Sequence, residues 1–181
     1  MGGFFGATSH RDVTIDVFFG VDYHSHLGTK YGGLVYKDPD SGFQREIHSI
    51  ENTPFRTRFE DDLATMHGCS GMGCISDSDP QPLLMRSHLG VFAVATVGFV
   101  RNAERLIEDF SKKGVQFSVR GSGEVNTTEL VAALINQKAD LVEGIRFAQE
   151  VTDGSLTMLL MLEDGCSHRS EERRVGKECR S

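Results

Sequence analysis

Two stretches of this 181-residue chain, Val91 to Val97 and Ser155 to Leu162, are apolar at nearly every position. Successive side chains of a strand point to opposite faces of its sheet, so a strand apolar on both faces must be covered on both. Such strands belong inside a layered domain, with a sheet or a helical layer on each side. Both runs are far shorter than the roughly 18 residues that a membrane-spanning helix needs. Length alone favours one domain.

The rest of the chain supplies candidate layers. Gly3 to Ala7 is a short apolar run and reads as a first buried strand. Asp12 to His26 carries Val13, Val17 and Val21 at helical spacing, with Gly28 closing the helix. Leu34 to Tyr36 and Phe43 to Ile47 flank Asp38-Pro39-Asp40-Ser41-Gly42, the turn chemistry of a hairpin. Phe59 to Met66 reads as a short helix with acidic residues on its positive end. Asn102 is placed to cap a helix carrying Leu106, Ile107 and Phe110. Asn126 with Glu129, and Asp140 with Glu143, look like capping boxes that open two more helices. Hairpin strands mixed with paired helices, without a βαβ rhythm, predict an α+β fold of stacked sheets between helical layers.

Charge narrows the function classes. With 19 basic and 26 acidic residues the net charge is −7, against the clustered positive face of nucleic-acid binders. The opening MGGFFGATSH has no basic region followed by a longer apolar stretch, so no signal peptide is expected and the cytoplasm is the expected compartment. Gly6 stands where a myristoylation signal wants Ser or Thr. Arg169 to Ser181 switches abruptly to charged residues and reads as the translation of a sequencing adapter rather than as biological sequence. The expected division is therefore a domain over 1–165, truncated on its C-terminal side, and a non-native or disordered tail over 166–181.

Several residues look like chemistry without forming a constellation. Cys69 and Cys74, with His67 and His88 nearby, lack the tight paired spacing of a zinc site and read as buried free thiols. His24-Ser25-His26 sits near a helix end, where imidazoles more often satisfy carbonyls than bind metal. Glu60-Asp61-Asp62 lacks the phosphate loop that a pyrophosphate-binding acidic pair requires. Gly71-x-Gly73 and Gly121-x-Gly123 are too short for a dinucleotide fingerprint. No metal and no cofactor is expected.

An ordered set of motifs carries more weight. Met1-Gly2-Gly3-Phe4-Phe5-Gly6, His26-Leu27-Gly28-Thr29-Lys30-Tyr31-Gly32-Gly33 and Asp79-Pro80-Gln81-Pro82 resemble the amidophosphoribosyltransferase family. So do Thr96-Val97-Gly98-Phe99-Val100-Arg101-Asn102-Ala103 and the stretch from Asp153-Gly154-Ser155 to Glu163-Asp164-Gly165. The match is to the N-terminal glutamine amidotransferase half and covers nearly all of residues 1–165, closest to a divergent branch that opens MGGFFG. It implies the N-terminal-nucleophile hydrolase fold, a four-layer αββα sandwich of two antiparallel sheets, and a role connected with purine biosynthesis. It further implies a C-terminal phosphoribosyltransferase half as the missing partner, and it allows a homo-oligomer; no nucleic-acid or membrane partner is expected.

The resemblance also marks departures. In active relatives the initiator Met is removed to expose a Cys, whose thiolate attacks the glutamine amide while its own α-amine acts as base. Here the position is Gly2, so no catalytic residue is carried over. The glutamine-binding Arg of a Gly-His-x-Arg pattern falls on Cys74. The oxyanion-hole Asn falls on Val97, with Gly98 retained. The Asp that holds the substrate amine falls on Thr127, and a His-Arg-Gly appears as His26-Leu27-Gly28. One lost oxyanion donor costs roughly a hundred- to a thousandfold in rate, and a lost nucleophile removes the covalent route.

The expected function is thus a glutaminase-like domain that is catalytically inactive and structural or regulatory. The alternative is a small-molecule-binding module using the degenerate pocket of Cys74, Val97, Gly98 and Thr127. A working hydrolase would have only Cys69 or Cys74 to offer as nucleophile.

Overall fold

The computed structural model describes residues 2–119 and 123–163, and 173–175 as backbone. Among the described residues, eight strands form two four-stranded antiparallel sheets. The first sheet contains β1 (Gly2–Thr8), β2 (Tyr31–Asp38), β3 (Gly42–Ser49) and β4 (Ser70–Ser76), in the order β1-β4-β2-β3. The second contains β5 (Leu83–Ser87), β6 (Gly90–Val100), β7 (Gly154–Leu162) and β8 (Arg173–Val175), in that order. The β8 segment falls within the stretch expected to be a tail; it pairs with Met158, Leu159 and Leu160 of β7. The rest of that stretch lies outside the described residues.

Period two along the strands builds three cores from one set of sheets. On β6, Phe92 and Val94 face α3 (Ala103–Lys112), α4 (Thr127–Ile135) and α5 (Leu141–Val151), while Ala93 and Ala95 face the first sheet. On β7, Met158 and Leu160 join the helical side, and Leu159 and Met161 the inter-sheet side. That division explains why both runs are apolar throughout: each residue meets one core or the other. Against the outer face of the first sheet, α1 (Thr14–Tyr23) and α2 (Phe55–Phe59) bury Val17, Phe18, Val21 and Phe59 over Leu34, Tyr36 and Ile75. The layers run helix, sheet, sheet, helix, as the sequence implies. Among the described residues no helix is long and apolar enough to cross a membrane.

Three local expectations change. The strand β4 occupies the middle of its sheet, where the sequence reading placed no strand. A β-carbon on Gly71 would lie 2.5 Å from the Tyr36 ring, and one on Gly73 would lie 2.6 Å from Leu34, so glycine is what lets these side chains cross the strand. The helix expected over Phe59 to Met66 is instead α2, opened by Pro54, followed by a short 3-10 turn at Asp62–Ala64. Pro54 has the extended backbone of a helix-preceding residue and sets the earlier start. Asn102 does stand before α3, but its side chain caps nothing there. Its Nδ2 donates to the Val151 carbonyl at 2.8 Å, and its Oδ1 accepts from Asp153 N at 2.9 Å, tying α3 to the start of β7.

The other two helix starts keep their caps. Asn126 Oδ1 accepts from Thr128 N at 2.8 Å, and Asp140 Oδ1 accepts from Glu143 N at 2.9 Å. Glu129 does not complete a box; its Oε1 accepts from Ser118 N at 3.0 Å and holds the preceding loop.

Candidate functional site

A cavity of about 560 Å³ opens where the first residue of β1, the loop after β4, the far end of β6 and the N-terminus of α4 meet. Gly2, Val97, Gly98 and Thr127 all line it. Four of the sequence-marked positions therefore come together, although they lie on three separate elements. Leu27 and Val97 also border a second cavity of about 660 Å³ that runs along Gly3, Phe4, Phe5 and Gly6.

Cys74 is the exception. Its side chain is fully buried in the inter-sheet core beside Val35 and Met72, and its thiol donates to the Gln81 carbonyl at 3.1 Å. A thiol is too short to pass that carbonyl, so Cys74 does not line the cavity. Burial pushes its pKa well above the ordinary thiol range, which keeps it protonated. Cys69, read as a second free thiol, is disulfide-bonded instead. Neither cysteine is a nucleophile in this form.

The wall facing Gly2 is built by residues that no sequence motif had singled out as ligands. Ser76 ends β4, and its Oγ accepts from Ser78 N at 3.2 Å and Asp79 N at 3.1 Å, folding the chain into a tight turn. That turn brings the Asp79 carboxylate to the start of α4, where Oδ2 accepts from Thr127 N at 3.3 Å. Negative charge is favoured at that helix end. Asn126 Nδ2 donates to the Pro80 carbonyl at 3.0 Å and fixes the same junction. The serine–aspartate alternation from Ser76 to Asp79 was the available signal, since such residues favour side-chain-to-backbone turns.

Behind this wall lies a closed polar network. Gln81 Nε2 donates to the Thr96 carbonyl, and Thr96 N donates to Gln81 Oε1, each at 2.8 Å. Thr128 Oγ1 donates to the same Oε1 at 2.9 Å and lies 2.7 Å from Thr96 Oγ1. All three side chains are buried, so the network fixes β6 against α4 and against the loop that carries Asp79.

The glycines at the two ends of the cavity are structural necessities. A β-carbon on Gly2 would lie 2.5 Å from the Ile75 carbonyl oxygen. Gly98 has φ +133°, and a β-carbon there would strike the Ser155 carbonyl of β7.

The other sequence-marked groups stay apart. His26 Nδ1 donates to the Tyr23 carbonyl at 2.9 Å, as expected of an imidazole near a helix end. His88 Nε2 donates to the Lys138 carbonyl at 2.8 Å, and His67 Nδ1 stands 3.7 Å from Asp12; among the described residues neither belongs to a cluster of metal-ligating side chains with a cysteine. Gly121 lies outside the described residues.

Seen beside solved proteins, the arrangement is a known one. The structure of glutamine phosphoribosylpyrophosphate amidotransferase from B. subtilis complexed with ADP and GMP superimposes with a TM-score of 0.75. It is 23% identical and is matched over 90% of this chain and 35% of its own. The fold is that of the glutamine domain of amidophosphoribosyltransferases. A structure described as the allosteric regulatory enzyme of purine biosynthesis matches with a TM-score of 0.74 at 23% identity, over 89% of this chain and 35% of that one. Among curated proteins, the amidophosphoribosyltransferase of Methanocaldococcus jannaschii is 24% identical over 176 residues, 91% of this chain. The chain spans 36% of that relative's length. No protein-family model matches it. On this scaffold, the start of β1 and the β6–α4 wall enclose the cavity described above.

Proposed function

We propose that this chain is the glutaminase-like domain of an amidophosphoribosyltransferase-like protein of purine biosynthesis, and that it hydrolyses no glutamine. Its role is structural or regulatory, supporting a phosphoribosyltransferase half that follows in the full-length protein. The domain spans 1–165, and the cytoplasm is its compartment.

The observation that carries this reading is Gly2 at the cavity, held against the Ile75 carbonyl. In this fold the nucleophile and its base share the first mature residue, because only there do thiol and α-amine lie within reach of each other. Glycine supplies the amine alone. The neighbouring positions weaken any uncatalysed route as well. Val97 offers no donor to a developing oxyanion, and Thr127 offers a hydroxyl where a carboxylate would clamp an ammonium. Cys74 offers a neutral thiol outside the cavity.

The test is ammonia release from L-glutamine by protein whose Met1 has been removed enzymatically. No release above the uncatalysed rate is expected; turnover at the ordinary enzymatic scale of about 1–10³ per second contradicts the proposal.

A second reading is favoured by one observation, the survival of the cavity itself. Its volume is about 560 Å³, within the range of small-molecule sites, and Ser76, Ser78, Asp79 and Thr127 still line it with polar groups. On this reading the pocket binds a small molecule other than glutamine. A rise in melting temperature with other amino acids or nucleotides, and none with glutamine, supports it; no shift with any of them removes it.

A further inference from the structure

Away from the cavity, the free edge of the first sheet carries a second cluster. We propose that Glu46, His48 and Asp62 form a surface site for a divalent transition metal ion of the Zn²⁺ class. Their ligand atoms all lie within 4.8 Å of one another. Glu46 and His48 are two residues apart on β3 and so point to the same face, while Asp62 comes from the 3-10 turn packed over that face. The Nε2 of His48 and the Oδ2 of Asp62 are already 2.8 Å apart.

The cluster is held by its surroundings. The His48 ring packs edge-on against Phe59, with centroids 4.7 Å apart. Phe59 can sit there because Gly32, the cross-strand partner of His48, has no side chain; a β-carbon on Gly32 would meet Phe55 at 2.7 Å and Phe59 at 3.1 Å. Asp62 is pinned through its own carbonyl, which accepts from Met66 N at 2.9 Å, Thr65 N at 3.0 Å and Thr65 Oγ1 at 3.1 Å. His48 and Asp62 are each 22% exposed in their side chains, enough for an ion to reach them, and Glu46 is exposed.

One imidazole and two carboxylates suit a borderline ion rather than a thiolate-seeking one. Bonds of about 2.0–2.2 Å place tetrahedral ligand atoms about 3.4 Å apart. The His48–Asp62 pair, 2.8 Å apart, must open by a fraction of an ångström, and Glu46, with ligand atoms up to 4.8 Å apart in the cluster, must swing inward by up to about an ångström or slightly more. Both are side-chain rotations, and they leave the fourth position to water. The ion would replace the His48–Asp62 hydrogen bond with two metal bonds and would lock the edge strand β3 to the 3-10 turn.

Calorimetric titration of ZnCl₂ into the chelator-treated full chain tests this. One saturable site is expected, weakened on the order of ten- to a hundredfold by His48→Ala and by Glu46→Gln. His88→Ala, which lies between β5 and β6 of the other sheet and bonds to Lys138, is expected to leave it intact. Glu46 is exposed and its substitution cannot unfold the chain, so that variant decides the matter even if His48→Ala loses structure. Absence of saturable binding up to millimolar zinc overturns the proposal, as does undiminished binding by Glu46→Gln.

Discussion

A β-carbon on residue 2 would lie 2.5 Å from the carbonyl oxygen of Ile75, because Gly2 lies against β4 where it pairs with Ser76. The position is therefore shaped for glycine, and no side chain fits there without displacing backbone. On the proposed reading, a thiol added here alone is not expected to give chemistry. Gly2→Cys should release no ammonia from glutamine, and the displaced backbone should cost about 1–3 kcal/mol, as overpacking commonly does. Urea unfolding and an ammonia assay check the two halves of this expectation.

The buried acids of the first sheet should make the protein sensitive to alkali. Burial raises the pKa of the Cys74 thiol, and burial first and the Asp12 carboxylate second raise that of the Tyr36 phenol, which donates to the Thr14 carbonyl at 2.9 Å. Both groups stay protonated when folded but ionise near their ordinary values of about 8.5 and 10 when unfolded. Their contribution is complete below those values and is lost as pH rises above about 9. Urea midpoints measured from pH 7 to 11 should fall steeply, and less steeply in Cys74→Ala and Tyr36→Phe.

Gln81 joins the loop, β6 and α4 through one amide. Gln81→Leu leaves the Thr96 N–H and carbonyl buried without their partners. At about 1–3 kcal/mol for each orphaned group, a loss of roughly 2–6 kcal/mol is expected, read as a lower urea midpoint. Gln81→Glu sets a carboxylate oxygen against the Thr96 carbonyl oxygen in a buried site, so it should cost at least as much near neutral pH.

Gly98 lines the cavity in a backbone conformation reserved for glycine. Gly98→Ala should cost about 1–3 kcal/mol from the dihedral alone, before the contact with β7 is counted. Thermal unfolding measures it. A stability equal to wild type would mean that β6 and β7 part more easily than their continuous pairing from Phe92 to Val100 implies.

Much of this architecture was legible before any coordinates. The runs around Val94 and Leu160 demanded cover on both faces, and the inter-sheet and helical cores supply it. Gly2, Val97, Gly98 and Thr127 could be marked from ordered motifs, since motif order survives even where the side chains have changed. What escaped had a common cause, namely side chains whose role is set by distant neighbours. Gly71 and Gly73 hide a strand because the bulk that fills it belongs to Tyr36, Leu34 and Val21. Asp79 imitates a turn residue because its partner, Thr127 N, lies 48 positions away. Cys74 matched a ligand position in the chain, but its length confines it to the core. The Glu46–His48–Asp62 cluster was hidden for the same reason, since it needs the fold of α2 over β3 to assemble.

The most direct test of the central claim is mass spectrometry of the N-terminal peptide, after Met1 removal and exposure to a glutamine-derived diazo ketone that alkylates this fold's nucleophile. An unmodified peptide beginning at Gly2, with Cys74 also unmodified, is the predicted result. A stoichiometric covalent adduct on either residue would contradict it.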